Sequence, residues 1–144
     1  IGSGRCGTLS LKEVLSQQPD THATHEDPPL LPWRRENGRP IMEQRFVRWR
    51  RRWTHPVVAD VASFYLPYLE EAIAREPDIR IVCLKRPREE VVESFGKWLA
   101  ATNPLQINHW AERPAPGWHH DPVWTPIFPK YEIEDREQGI RRYW

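Results

Sequence analysis

Cysteine is almost missing from this 144-residue chain, which has only Cys6 and Cys83. That excludes a disulfide framework and favours a reducing compartment, so the expected location is cytoplasmic. Long apolar runs are missing too. None is long enough to span a bilayer or to form the apolar region of a secretory signal. The formal net charge is +1, which argues against a generic polyanion-binding protein, although the charge is unevenly spread. There is no internal repeat. No initiator Met opens the chain, and residue 1 reads as the last residue of a strand. Residues 139–144 read as the first turns of a helix, so both ends are expected to be truncated.

What is present describes one ordinary globular domain over residues 1–144, long enough to bury about two-thirds of its unfolded surface. Leu9, Leu11, Val14 and Leu15 predict a helix over residues 8–18. Residues 21–26 read as a short strand closed by Asp27-Pro28-Pro29. Residues 30–56 are polar and rich in Arg and Trp, with Asn37-Gly38 marking a turn. Asp60 reads as the N-cap of a second helix carrying Val61, Phe64, Tyr65, Tyr68, Leu69 and Ala72, with Pro67 as a kink. Residues 79–84 read as a mostly buried parallel strand, and residues 88–102 as a third helix with Val91, Val92, Phe95, Trp98 and Leu99 on one face. Residues 103–130, rich in Pro and Trp, predict a long ordered loop. This order implies an α/β domain with a parallel sheet and ligands at the strands' carboxyl ends.

The densest signal lies in residues 2–11, Gly2-Ser3-Gly4-Arg5-Cys6-Gly7-Thr8-Leu9-Ser10-Leu11. Glycines allow tight turns, successive N–H groups then face an anion, and the helix N-terminus behind them adds about half a positive charge. Gly2 and Gly7 have the spacing of the nucleotide-binding consensus, but Thr8 stands where that consensus has lysine, and the cation sits inside the loop at Arg5. No apolar strand ending in a magnesium-binding Asp is apparent, and residues 81–84 run into Lys85-Arg86. The pattern points to an anionic donor held by protein cations without a metal.

These residues resemble the 5′-phosphosulfate loop of sulfotransferases, in which Lys or Arg precedes a small residue, Gly and Thr or Ser, as in Arg5-Cys6-Gly7-Thr8. A second hallmark of that family, an Arg at a strand end with a Ser eight residues later, is matched by Arg86 and Ser94. The likeness covers residues 1–11 and 79–100, more loosely 60–71. It departs where Pro87 directly follows Arg86, and no glycine- and lysine-containing segment that would close over adenosine is recognisable. The resemblance implies a three-layer P-loop NTPase-like fold with a central parallel sheet. It also implies transfer of a sulfuryl group from 3′-phosphoadenosine 5′-phosphosulfate, a co-substrate used without metal, to an acceptor hydroxyl or amine on a carbohydrate, lipid or small molecule. Ser3, Gly4, Arg5, Cys6, Gly7, Thr8 and Leu9 would hold the 5′-phosphosulfate, with Arg86 and Ser94 on the 3′-phosphate. Arg5 would also neutralise the leaving oxygen.

The acceptor must lose a proton, and family members use His or Glu for this. Glu26 is the first candidate base, against an equal reading as a turn residue, with His22 and His25 on the same segment and strand alternation placing His22, Thr24 and Glu26 on one face. Cys6 reads as a small space-filler. His55, His109, His119 and His120 are weaker candidates, without metal-ligand spacing. Arg45, Arg48, Arg50, Arg51 and Arg52, interleaved with Phe46, Trp49 and Trp53, read equally as a solvated face or as a positive rim, ahead of a nucleic-acid surface. Trp110, Trp118 and Trp124 read as stacking platforms or as core. The rival functions are an ATP-dependent P-loop phosphotransferase, a non-catalytic anion- or RNA-binding module using the Arg-rich segment, and a sulfotransferase-like domain that binds donor without turnover.

Overall fold

The glycine loop leads directly into a helix, as the hydrophobic period requires. In the computed structural model, which describes residues 1–102, 107–113, 116–133 and 135–144, α1 spans Thr8–Ser16 and β1 spans Thr21–His25. The protein is a mixed α/β chain. Among the described residues it contains five α-helices and a small parallel sheet of two strands, β1 and β2 (Val57–Val61), paired from Thr21↔Val57 to His25↔Val61. The remaining helices are α2 (Arg35–Arg52), α3 (Leu69–Arg75), α4 (Arg88–Thr102) and α5 (Arg136–Tyr143). The chain divides into two compact units, Ile1–Leu84 and Lys85–Trp144. Among the described residues no helix is long and apolar enough to cross a membrane.

In the first unit α1 packs on both strands. α2 replaces the expected polar stretch and its turn. Its buried positions, Gly38, Met42, Arg45 and Phe46, recur at helical spacing, but a glycine and an arginine among them hide the stripe from an apolar count. Gly38 is there for clearance, since the fully buried Tyr68 ring lies where its Cβ would be. The Tyr68 hydroxyl donates to the Pro32 carbonyl and reaches the Arg34 carbonyl at 3.3 Å. Gly38→Ala is therefore expected to cost about 1–3 kcal/mol through overpacking, despite the gain in helix propensity. Urea unfolding checks it, and a neutral or stabilising result would mean that Tyr68 has another seat.

Two expected elements are corrected. Asp60 does not open a helix; it lies in β2, and the following residues form a short 3-10 turn (Leu66–Tyr68) before α3. Val61, Phe64, Tyr65 and Tyr68 are buried where the chain crosses the core irregularly, Ala72 is buried within α3, and Pro67 lies in the 3-10 turn rather than at a kink. Residues 79–84 are not a buried strand. Ile81 and Val82 are 39% and 57% exposed, and Leu84 makes one isolated parallel bridge, to Gly2. A strand buried on both faces needs paired edges and covering helices. Here the described pairing is with Ile1 and Gly2: Leu84 N donates to Ile1 O at 2.7 Å, and Ile1 N to Val82 O at 2.7 Å.

The second unit is built on α4, with the expected bounds. Val91, Phe95 and Leu99, at four-residue spacing, are buried. Phe95 meets the fully buried Trp110 edge-on (5.4 Å between centroids), and Trp110 meets Phe128 at 4.8 Å. Trp110 is thus core, not a stacking platform. Ile140 and Tyr143 of α5 close the cluster, and Asp135 caps α5 by accepting from Glu137 N and Gln138 N. Part of the expected loop, residues 103–106, 114 and 115, lies outside the described residues.

Candidate functional site

The loop earns its glycines. Gly4, Arg5 and Gly7 have φ of 22°, 59° and 92°, so the backbone winds through the left-handed region three times before α1 begins. Gly4 N donates to Gly2 O at 3.1 Å, and the Ser3 hydroxyl lies 3.2 Å from Cys6 Sγ, which ties the loop across its own mouth. Cys6 is therefore part of the loop's internal bonding as well as a space-filler. Gly7 is the N-cap of α1, with no side-chain cap bond. Thr8 is the first helical residue and is buried. Arg5 and Leu9 are exposed at the rim.

The end of β1 comes up against this loop. His25 Nε2 is 3.0 Å from Thr8 Oγ1, and His25 Nδ1 is 4.0 Å from Glu26 Oε2. Glu26 lies just beyond the strand with φ 54°, so strict alternation stops before it, and it does not share a face with His22 and Thr24 by that rule. Burial raises the Glu26 pKa above the usual carboxylate range. His25 pulls it back, the Asp60 carboxylate pushes it further up, and Arg5 pulls it down. A carboxyl with a raised pKa beside a glycine-rich loop suits proton transfer better than an ordinary surface glutamate. His22 is elsewhere. Its ring stacks on Trp53 at 3.6 Å, and burial lowers its pKa.

Beneath Glu26 lies a buried ion pair that the sequence reading missed. Asp60 and Arg45 side chains are both fully buried, 3.3 Å apart. Asp60 Oδ1 accepts from Thr24 Oγ1 (2.8 Å) and from Asp27 N (3.2 Å). Its Oδ2 accepts from the Tyr65 hydroxyl (2.7 Å) and from Arg45 Nη1. Arg45 also donates to Tyr65 Oη at 2.8 Å and to the Pro29 carbonyl. Burial, then the Asp60 charge, raises the Tyr65 pKa well above its ordinary value. The polar turn at residues 27–29 is thereby pinned from below. Two expectations are revised here. The chain does have a strand carrying an Asp near its end, and that Asp has all four acceptor directions taken by protein donors. Arg45, in turn, belongs neither to a rim nor to a solvated face. The one available signal was Val57-Val58-Ala59 running into Asp60.

Arg86 and Ser94 belong to the second unit. Arg86 Nε donates to Glu90 at 2.8 Å, which places the guanidinium on the α4 face that carries Glu90 and Ser94, one helical turn apart. Lys85 instead stands over the Trp144 ring at 5.2 Å, and Trp144 Nε1 donates to the Arg86 carbonyl at 2.7 Å. The two adjacent cations thus diverge. Trp118 lies under Arg136, Trp124 packs edge-on to Trp98, and His119 and His120 are exposed. Among the described residues, no three His, Cys, Asp or Glu side chains form a group that could hold a metal. Comparison with protein-family models, with curated proteins and with solved structures found no match.

Proposed function

We propose that this chain is a sulfotransferase-type domain of the three-layer P-loop class, moving a sulfuryl group from 3′-phosphoadenosine 5′-phosphosulfate to an acceptor hydroxyl or amine. The observation that carries the reading is the juxtaposition in the first unit. A loop wound three times through left-handed φ opens α1, and its Thr8 hydroxyl is bonded to His25 beside a half-buried Glu26 of raised pKa. In this reading the N–H groups of residues 3–9 and the Arg5 guanidinium take the 5′-phosphosulfate and neutralise charge on the departing phosphate oxygen. Glu26 accepts the acceptor's proton as its oxygen or nitrogen attacks sulfur, and His25 fixes the Thr8 hydroxyl at the loop's edge. The sequence resemblance assigns the 3′-phosphate to Arg86 and Ser94 of the second unit. No metal is assigned a role.

Calorimetry with 3′-phosphoadenosine 5′-phosphate tests the assignment. The intact chain is expected to bind it, and Arg5→Ala and Arg86→Ala each to weaken it at least tenfold, about 1.4 kcal/mol. Unchanged affinity in both variants would sink the reading. Stabilisation by ATP with magnesium, and none by the bisphosphate, would point to the phosphotransferase instead, against the finding that Asp60 near the end of β2 has its acceptor directions taken by protein donors.

A further inference from the structure

Along α2 the arginines are neutralised one after another. Arg35 pairs with Glu70 and Glu71, Arg39 with Glu71, Arg45 with Asp60, Arg48 with Asp27 and Arg50 with Glu76. Arg51 and Arg52, at the C-terminal end, have no carboxylate partner among the described residues, and neither has Arg75 in the last turn of α3. Those three line one open groove of about 670 Å³, together with Glu43, Val47 and Arg48. A helix C-terminus favours cations, which accounts for arginine at the end of either helix. It does not account for two helix ends turning three arginines without an ion-pair partner into the same groove, where Glu43 is the one carboxylate in the lining and like charges repel.

We propose that this groove is a second anion site, separate from the glycine loop, and that it takes a compact multivalent phosphate. Guanidinium forks match phosphate oxygens in pairs, and several of them converging suit a ligand with several charges close together. An extended polyanion fits less well. The arginines that would continue the track, Arg48 and Arg50, are already held by Asp27 and Glu76. A base-stacking nucleic acid fits less well again, because the Trp53 ring has His22 stacked on it at 3.6 Å and the Arg52 guanidinium over it at 4.5 Å. The site shares no residue with the proposed donor loop and does not rest on the sulfotransferase reading.

The probe is sodium tripolyphosphate, titrated by calorimetry at low salt into an Arg5→Gln protein, so that the loop contributes less. That protein is expected to bind tripolyphosphate more tightly than inorganic phosphate or a short oligothymidylate. Adding Arg51→Gln and Arg75→Gln should weaken binding at least tenfold, whereas adding Arg80→Gln, outside the groove, should change it less than twofold. A matching Arg51→Lys, Arg75→Lys protein should recover part of the loss, and it stands in should the glutamine variant fail to fold. No binding at millimolar tripolyphosphate, equal binding by the groove variant, or tighter binding of the oligonucleotide would each overturn the proposal.

Discussion

Asp60→Ala is expected to cost about 3–5 kcal/mol, a large fraction of the 5–15 kcal/mol that holds a domain of this size together. The carboxylate accepts from Thr24, the Asp27 amide, Tyr65 and Arg45, and its partner Arg45 is equally inaccessible to water. Removing it leaves a guanidinium buried without a counter-charge, a phenol without its acceptor and an amide unpaired. Replacing both members of the pair, as Arg45→Met with Asp60→Leu, should be less damaging than Asp60→Ala alone, because no uncompensated charge remains. Urea unfolding at neutral pH, run as a double-mutant cycle, reads both numbers. A loss below 1 kcal/mol for Asp60→Ala would mean that the pair is not buried in solution. The same substitution removes one of the influences that raise the Glu26 pKa, so the proposed base should titrate lower in any variant that still folds.

The elements that sequence made legible are those whose period is carried by ordinary apolar residues. α4 has Val91, Phe95 and Leu99 in plain view, and its bounds follow. β1 was legible from its length and the Asp27-Pro28-Pro29 stop. α2 was hidden because the residues it buries include Gly38 and Arg45, which a propensity argument treats as a breaker and a surface charge. Both make sense only with their partners in place, Tyr68 over one and Asp60 against the other. For the same reason Asp60 was read as a cap: nothing local says that an aspartate will be neutralised by an arginine fifteen residues earlier. The site divides along the same line. Residues 2–8 announce their shape, because left-handed φ favours glycine, which holds two of the three such positions, Gly4 and Gly7, with Arg5 at the third. The approach of His25 to Thr8 depends on how β1 and α1 pack, and strand alternation pointed to the other histidine. Long-range pairing of polar groups is what a one-dimensional pattern does not carry.

Lowering the pH from 8 to 5 should remove about 2 kcal/mol of stability through His109 alone, and about 3 kcal/mol by pH 4. The ring is 1% exposed, lies 3.1 Å from Thr125 Oγ1 through Nδ1, and stacks on Phe128 at 5.2 Å between centroids. Burial lowers its pKa to about 4. Lys130 and Arg136 push the same way, and Asp121 opposes them. The unfolded chain takes up the proton near pH 6.5, whereas the folded chain refuses it until about pH 4. Stability is therefore intact above 6.5 and falls as pH drops between those values. His109→Gln should flatten that slope, and the paired carboxylates Glu71, Glu89 and Glu93, whose pKa values are lowered, act at more acidic pH. Denaturant midpoints of the two proteins at pH 7.5, 6 and 5 check the difference; parallel pH dependence would mean that His109 is hydrated and protonates freely in the native state. The consequence reaches the proposed chemistry. An acidic limb in the activity profile would belong to Glu26 only if it survives in the His109→Gln protein, since folding and proton abstraction would otherwise fail over overlapping ranges of pH.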